Sequence, residues 1–348
     1  MLDSEKLICS LVGIMSVSGH EEKGREELCS LVGGYFDEYE PHISGTHVFI
    51  KRCGRQNAPR LMIDTHFDEI GMLVSGIHPG GFLSVCSVGG LDRRIMPAAE
   101  VLIYGKKTLY GVICATPPHL QKNGDVRKNP EISQLRIDTG YSYESLREIV
   151  EIGTPVGFYP SADRLLSDRI CSRSLDNKAC CAAAVLAAWM TPKEKMHCDV
   201  YVTFSSKEET GLASGCSAAA YRIRPDAAIV SDVTFAQSPG IRADESGKLG
   251  GGPVLSMSAV TDRHITTSLR EIARRENIPC QICVDACDTG TNATALSLTG
   301  DGIPCAVVSV PEMSMHTYGE TVSLADVENT ARLFSAAMSG KEIFEWER

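Results

Sequence analysis

Apolar runs bounded by polar turns alternate with stretches of helical spacing along most of the chain. The spacing predicts helices over 3–17 and 20–34. APRLMIDTH then has the near-continuous apolar character of a buried strand. The Ala-rich stretch 175–190 predicts a helix, and CDVYVTFSS a strand ending near Ser206. LASGCSAAAYRI reads as a helix and DAAIVSDV as another buried strand. GPVLSMSAV, a helix over 263–276, PCQICV, a helix over 293–299, and PCAVVSV continue the alternation. A C-terminal helix starts at Ser323, whose hydroxyl with Asp326 three residues on resembles a capping box. Strands alternating with helices indicate an α/β layer fold with a mainly parallel or mixed sheet.

Residues 71–165 break this rhythm. Gly and Pro are dense there, and FLSVCSV, EVLIYG and TLYGVICAT are short strands between turns. That pattern predicts a small β-barrel. Buried-strand patterns flank it on both sides, so the barrel is expected as an insertion into one catalytic domain formed by residues 1–70 and 166–348.

Composition narrows the function classes. The 348 residues suffice for two domains, and 43% hydrophobic content suffices for a sizeable core. The 34 basic against 44 acidic residues give a net charge of -10, which argues against nucleic-acid and anionic-membrane partners. No stretch approaches the roughly 20 apolar residues of a membrane helix. The N-terminal MLDSEKLICSLVGIMSVSG has acids beside Lys6 and reads as an amphipathic helix rather than a signal peptide, so a reducing, cytoplasmic location is expected. Of the 14 cysteines, Cys180 and Cys181 sit in an apolar run and read as small core residues. Cys280, Cys283 and Cys287 hint at zinc by spacing, but no fourth ligand is local. A strand carrying Cys280 and Cys283 on opposite faces is the better reading.

Candidate chemistry gathers at predicted strand ends, where open α/β sheets bind their ligands. IDTHFDE contributes His66 and Asp68, SRSLDNK Asp176, FSSKEETG Glu208 and Glu209, AIVSDV Asp232, and PEMSMHTYG His316. Each alone has a plain explanation: a satisfied polar histidine, a helix cap at Asp176, a solvated acidic pair, a strand-end acid. His66 and Asp68 are more pointed, since alternate residues share a face and a carboxylate on the far ring nitrogen is the usual support of a metal-binding imidazole. Together, two imidazoles and several carboxylates at one sheet edge suit two divalent ions. One acid of the adjacent pair then binds metal while the other moves protons.

The blocks THFDEIGMLV, SRSLDNKA, KEETGLASG, IVSDVTFAQSPG and TGTNATALSLTGDGIP, followed by PEMSMHTYGE, resemble metallopeptidase family 42 over nearly the whole chain. These are the glutamyl, leucyl and tetrahedral aminopeptidases, some carrying an endoglucanase label. The resemblance implies a three-layer zinc-exopeptidase-like domain with a mixed sheet, plus the small barrel. It also implies that His66 and Asp232 hold one metal and Glu209 and His316 the other. Asp176 bridges both, Glu208 is the general base, and Asp68 orients His66. A cis peptide follows the bridging acid, at Asp176–Asn177. The implied cofactors are two divalent ions per subunit, zinc first, with cobalt or manganese as alternatives. The implied activity is removal of the N-terminal residue from short peptides, in a homo-oligomer that in this family is often a dodecamer built from dimers.

This chain departs from the family pattern at three places. Asn292 stands where Asp is usual, Lys178 where Arg is common, and Lys207 where Gln is common. Asn292 therefore removes a charge near a presumed substrate pocket or helix start. His119, in ATPPHL, is expected as a loop residue behind two prolines rather than a group reaching a neighbouring subunit's site. Two other classes are open to such residues. A glycosidase needs carboxyls about 5 Å or more apart across the bond, which adjacent Glu208 and Glu209 fit poorly. A non-enzymatic oligomeric scaffold with a residual metal site is the other.

Overall fold

The computed structural model describes residues 2–120 and 129–346. An eleven-stranded mixed sheet runs through its centre. Along its main path the order is Glu38–Pro41, His47–Lys51, Asp199–Ser205, Arg60–His66, Ala227–Phe235, Cys305–Met313, Glu320–Ser323, Arg169–Ser172 and Ala162–Leu165. Val254–Ser258 branches from Cys305–Met313 and carries Gln281–Asp285. The four neighbours from Asp199–Ser205 to Cys305–Met313 are mutually parallel.

Both faces of these parallel strands are covered, which is why they read as continuous apolar runs. Leu61, Ile63, Ala227, Ile229, Ala306 and Val308 pack into one core cluster. Their sequence neighbours Met62, Ala228, Val230, Cys305 and Val307 point the other way, into a second. Helices Ser4–Gly13, Leu175–Met190, Arg263–Arg275 and Leu324–Ser339 cover the first face. Ser214–Ile223 and Ala293–Ser297 cover the second. The arrangement is therefore helix, sheet, helix. Leu175–Met190 is buried from Leu175 to Ala188. Its alanines favour helix and keep the surface small enough to lie deep between the sheet and neighbouring helices.

Gly71–His78, Phe82–Val88, Glu100–Tyr104, Thr108–Ile113, Ile137–Asp138 and Pro155–Phe158 close into a separate six-stranded barrel. Its interior, including Met72, Val101, Ile103 and Val156, is a core cluster of its own. A helix, Tyr143–Ile149, lies within this span. Ala162–Leu165 pairs instead with Arg169–Ser172 in the large sheet.

Several elements escape the apolar pattern. Glu38–Pro41 and Ala162–Leu165 are edge strands with largely polar, exposed sequences. Glu320–Ser323 is a short strand directly joined to the last helix. The expected capping box there is not formed, because Ser323 makes no side-chain cap bond. Asp326 instead accepts from the backbone N–H groups of Gly250 and Gly252, each at 2.7 Å. That tertiary partnership outcompetes the local one. Gln281–Asp285 is a strand. Cys280 packs against the main core while the Cys283 thiol meets the Ser256 hydroxyl at 3.1 Å. All fourteen cysteines are unpaired. No helix among the described residues is long and apolar enough to cross a membrane.

Candidate metal centre

The parallel register brings the predicted residues to one edge. His66 ends its strand level with Ser205 on the next, and Glu208 and Glu209 follow Ser205 directly. On the other side Val230 is level with Asp64, so Asp232 lies two residues further along, beside His66. His316 follows the fourth parallel strand. Arg169–Ser172 runs in the same direction after two antiparallel steps, and its exit delivers Asp176. Left-handed backbone at Ser174, Lys207 and His316 makes the tight reversals. The Asp176–Asn177 peptide is cis.

Asp176 divides its two oxygens. Oδ1 lies 2.9 Å from Nε2 of His66, and Oδ2 lies 3.4 Å from Nε2 of His316. Asp232 Oδ1 is 3.4 Å from the first imidazole, and Glu209 Oε2 is 3.4 Å from the second. Glu208 Oε2 stands 4.0 Å from His66 Nε2. His66 Nδ1 is 3.0 Å from the backbone carbonyl of Asp68, which fixes a proton on Nδ1 and turns Nε2 towards the carboxylates.

That carbonyl does the work expected of the Asp68 carboxylate, which lies 3.7 Å from the ring. The strand stops at His66, so Asp68 is not held on the same pleated face. Its two oxygens instead accept from the N–H groups of Glu208 and Glu209, each at 3.1 Å. Asp68 therefore shapes the loop that presents the acidic pair.

Other residues of the centre were not apparent from the sequence. Glu320, buried, accepts from the N–H of Asp176 at 3.1 Å and of His316 at 3.0 Å, tying two donor segments together. Glu21, also buried, accepts from Lys207 N–H at 3.0 Å, immediately before the acidic pair. Lys178 Nζ donates to the Phe67 carbonyl and the Ser16 hydroxyl, each at 2.6 Å, and lies over the Phe67 ring. Asn177 donates to the Ser231 carbonyl at 2.8 Å. Buried Arg173 pairs with Glu69. These long-range contacts have no local sequence signature; only the clustering of polar residues around each motif pointed towards them. On the barrel side, a Cβ added at Gly90 would meet His316 Nδ1 at 2.9 Å, so glycine lets the ring sit close. His119 lies exposed in the turn Pro118–Leu120 and joins none of this.

The electrostatics call for a cation. Burial pushes the Glu208 carboxyl up to about 8, opposed by His66 and reinforced by Asp232 and Asp176. Burial and then Asp176 push Glu209 well above the carboxylate range. Asp176 moves down: burial would raise it, but hydrogen bonds from both imidazoles prevail. Burial alone would lower His66, yet Asp232 and Asp176 carry it well above its ordinary value. Among the described residues the partners within ion-pair distance of these acids are imidazoles, not Lys or Arg. Burial, then the charges of Glu320, Asp176 and Asp232, push the carboxyl of buried Glu312 well above the carboxylate range. Donor atoms of His66, Asp176 and Glu209 lie within 4.8 Å of one another. Imidazole nitrogen and carboxylate oxygen are ordinary ligands of divalent ions, so the residues fit a metal.

The model of the M42 glutamyl aminopeptidase family matches residues 46–333. The lysyl aminopeptidase of Pyrococcus furiosus is 30% identical over 345 residues, covering 97% of both chains. An aminopeptidase from the archaeon Desulfurococcus kamchatkensis superposes with a TM-score of 0.89 at 28% identity, covering 98% of this chain and 96% of that one. The Pyrococcus horikoshii TET1 peptidase, which can assemble into a tetrahedron or a large octahedral shell, gives 0.85 at 28% identity over 97% and 99% of the two chains.

Proposed function

The chain belongs to the M42 glutamyl aminopeptidase family, and from that premise we propose that it is a dinuclear-metal aminopeptidase releasing the N-terminal residue of short peptides. The observation that carries this reading is the split of Asp176, one oxygen towards His66 and the other towards His316. A carboxylate so placed would offer one oxygen to each of two cations. His66 and Asp232 complete one set of donors, and Glu209 and His316 the other.

Two divalent ions, zinc first and cobalt or manganese as alternatives, would supply Lewis acidity and a water ionisable near neutral pH. Glu208, raised by burial and not needed as a ligand, takes the proton from the attacking water and returns it to the leaving amine. Asp68 and Glu21 hold the backbone of its loop from two sides. The surplus of carboxylates favours the free α-amino group of a peptide, which selects N-terminal residues.

We also read the barrel, expected over 71–165 and closed by strands from Gly71 to Phe158, as an inserted domain, supported by its closed sheet and its separate core. Assembly into a homo-oligomer, up to a dodecamer built from dimers, is supported by the shells that the TET1 peptidase forms. Fourteen unpaired cysteines suit a reducing, cytoplasmic compartment.

The test is hydrolysis of a panel of aminoacyl-p-nitroanilides by metal-stripped protein, with zinc, cobalt or manganese restored and with a chelated control. Activity that appears only with metal, and only on substrates with a free amino group, is expected. Turnover unaffected by chelation, or none with any metal, sinks the reading.

A further inference from the structure

The junction of the barrel with the large sheet holds a cavity of about 370 Å³. Phe158, Tyr159, Tyr318, Ser161 and Glu100 line it, and among the described residues no lysine or arginine does. Tyr159 and Tyr318 are 45% and 48% exposed, so their rings are open to a ligand. Tyr159 meets Tyr110 edge-on, with centroids 5.9 Å apart. Tyr318 tilts against Phe158 at 5.7 Å. The backbone N–H of Tyr159 donates to the Glu100 carbonyl at 2.9 Å, so this wall is set by main-chain pairing.

Aromatic faces next to one carboxylate and no resident cation form a receptor for a positive charge on a slim apolar stem. Ring faces attract a cation through their quadrupole, the carboxylate adds a direct ionic partner, and the stem gains apolar contact. A neutral apolar side chain would gain only the contact, and an acidic one would meet Glu100.

The position of the cavity says which part of a peptide would reach it. Tyr318 is two residues beyond His316, so their Cα atoms are at most about 7 Å apart. A peptide held by its amino end among the metal donors advances about 3.5 Å per residue. Its second or third residue is therefore within reach of the Tyr318 ring. We propose that this cavity is a subsite for a lysine or arginine side chain at the second or third position of the peptide, downstream of the cleaved bond. The inference deepens the aminopeptidase reading and rests on it.

The experiment uses the full, metal-loaded chain and two peptide series, Leu-Xaa-Ala-Ala and Leu-Ala-Xaa-Ala, with Xaa lysine, norleucine or glutamate. In one series lysine should exceed norleucine by about fivefold or more in kcat/KM, expressed in KM. Glu100→Gln and Tyr159→Leu should each reduce that preference while leaving leucine p-nitroanilide, which is too short to reach the cavity, unchanged. Absence of a lysine preference in both series, or one that persists in both variants, overturns the proposal. If leucine p-nitroanilide is untouched with every metal, it is the aminopeptidase reading that fails. The cavity is then judged by calorimetric binding of acetyl-Ala-Lys-Ala-amide against its norleucine analogue. Tighter binding that Glu100→Gln abolishes supports it, and equal binding overturns it.

Discussion

The side-chain amide of Asn292 donates to the carboxylate of Asp64 at 2.8 Å, and both residues are buried. Ser205 and Thr203 complete the arrangement, with the Thr203 hydroxyl 2.6 Å from the other Asp64 oxygen. Asn292 is thus a support beneath the His66 strand, not a residue facing substrate. Asn292→Asp would remove the donor and press two carboxylates together. Denaturant unfolding at pH 7 should show a loss of about 3–5 kcal/mol. Combining it with Asp64→Asn restores one amide and one carboxylate, so most of the loss should return. A double variant no more stable than Asn292→Asp would refute the pairing.

The split of Asp176 predicts separable metals. His316→Ala should lower bound metal by about one equivalent per subunit, leaving the His66 and Asp232 donors filled. Asp176→Ala should lower occupancy at both. Atomic absorption after dialysis against dilute zinc decides this. Equal losses in the two variants would argue for a single ion.

Glu208→Gln keeps the size of the side chain but cannot accept a proton. Turnover should fall by about a hundredfold or more, the usual scale of general acid–base catalysis, with metal content unchanged. Near-normal turnover would remove Glu208 from its assigned role.

Glu21 holds the Lys207 amide immediately before the acidic pair, and Glu21 Oε1 also accepts from Gly19 N–H at 2.9 Å. Glu21→Gln retains an acceptor oxygen and should keep most activity. Glu21→Ala should lower kcat about tenfold with little change in KM, because the loop loses one of its two clamps. Equal effects of the two variants would show that the clamp does not act through hydrogen bonding.

Stability of the metal-free chain should fall as pH rises from 5 to 7. Burial, then the Asp68 charge, carries Glu21 up to about 7, so folding favours its protonated form. That contribution is complete below about 4.5, where the unfolded chain is also protonated, and is lost as pH rises through 7. Glu208, at about 8, changes in the same sense. Lys178, lowered to about 7 by burial, opposes the trend only above that pH. Thermal melts should show this slope, and saturating zinc should flatten the part due to Glu208. A metal-free melting temperature that rises from pH 5 to 7 would contradict the buried-acid picture.

The sequence by itself determined the central layer and the identity of the donors. Strands buried on both faces must be apolar throughout, so Arg60–His66, Ala227–Phe235 and Cys305–Met313 were legible as runs. Imidazoles and carboxylates stood out against those runs at their ends. Polar edge strands such as Glu38–Pro41 and Ala162–Leu165 gave no such contrast. What only the tertiary structure decided was which polar group serves which. Asp68 was read as the partner of the His66 ring, yet a carbonyl took that place and the carboxylate went to the Glu208 and Glu209 amides. Asp326 was read as a local cap and went to Gly250 and Gly252. Asn292 reads in the sequence as a lost charge near a substrate pocket or a helix start; it does stand at the start of Ala293–Ser297, and its amide is the donor for Asp64. Burial selects apolar residues one position at a time, so its trace is written along the chain. A buried carboxylate is satisfied by whichever donor the fold brings within reach, and that donor's distance in sequence leaves no trace in the local pattern.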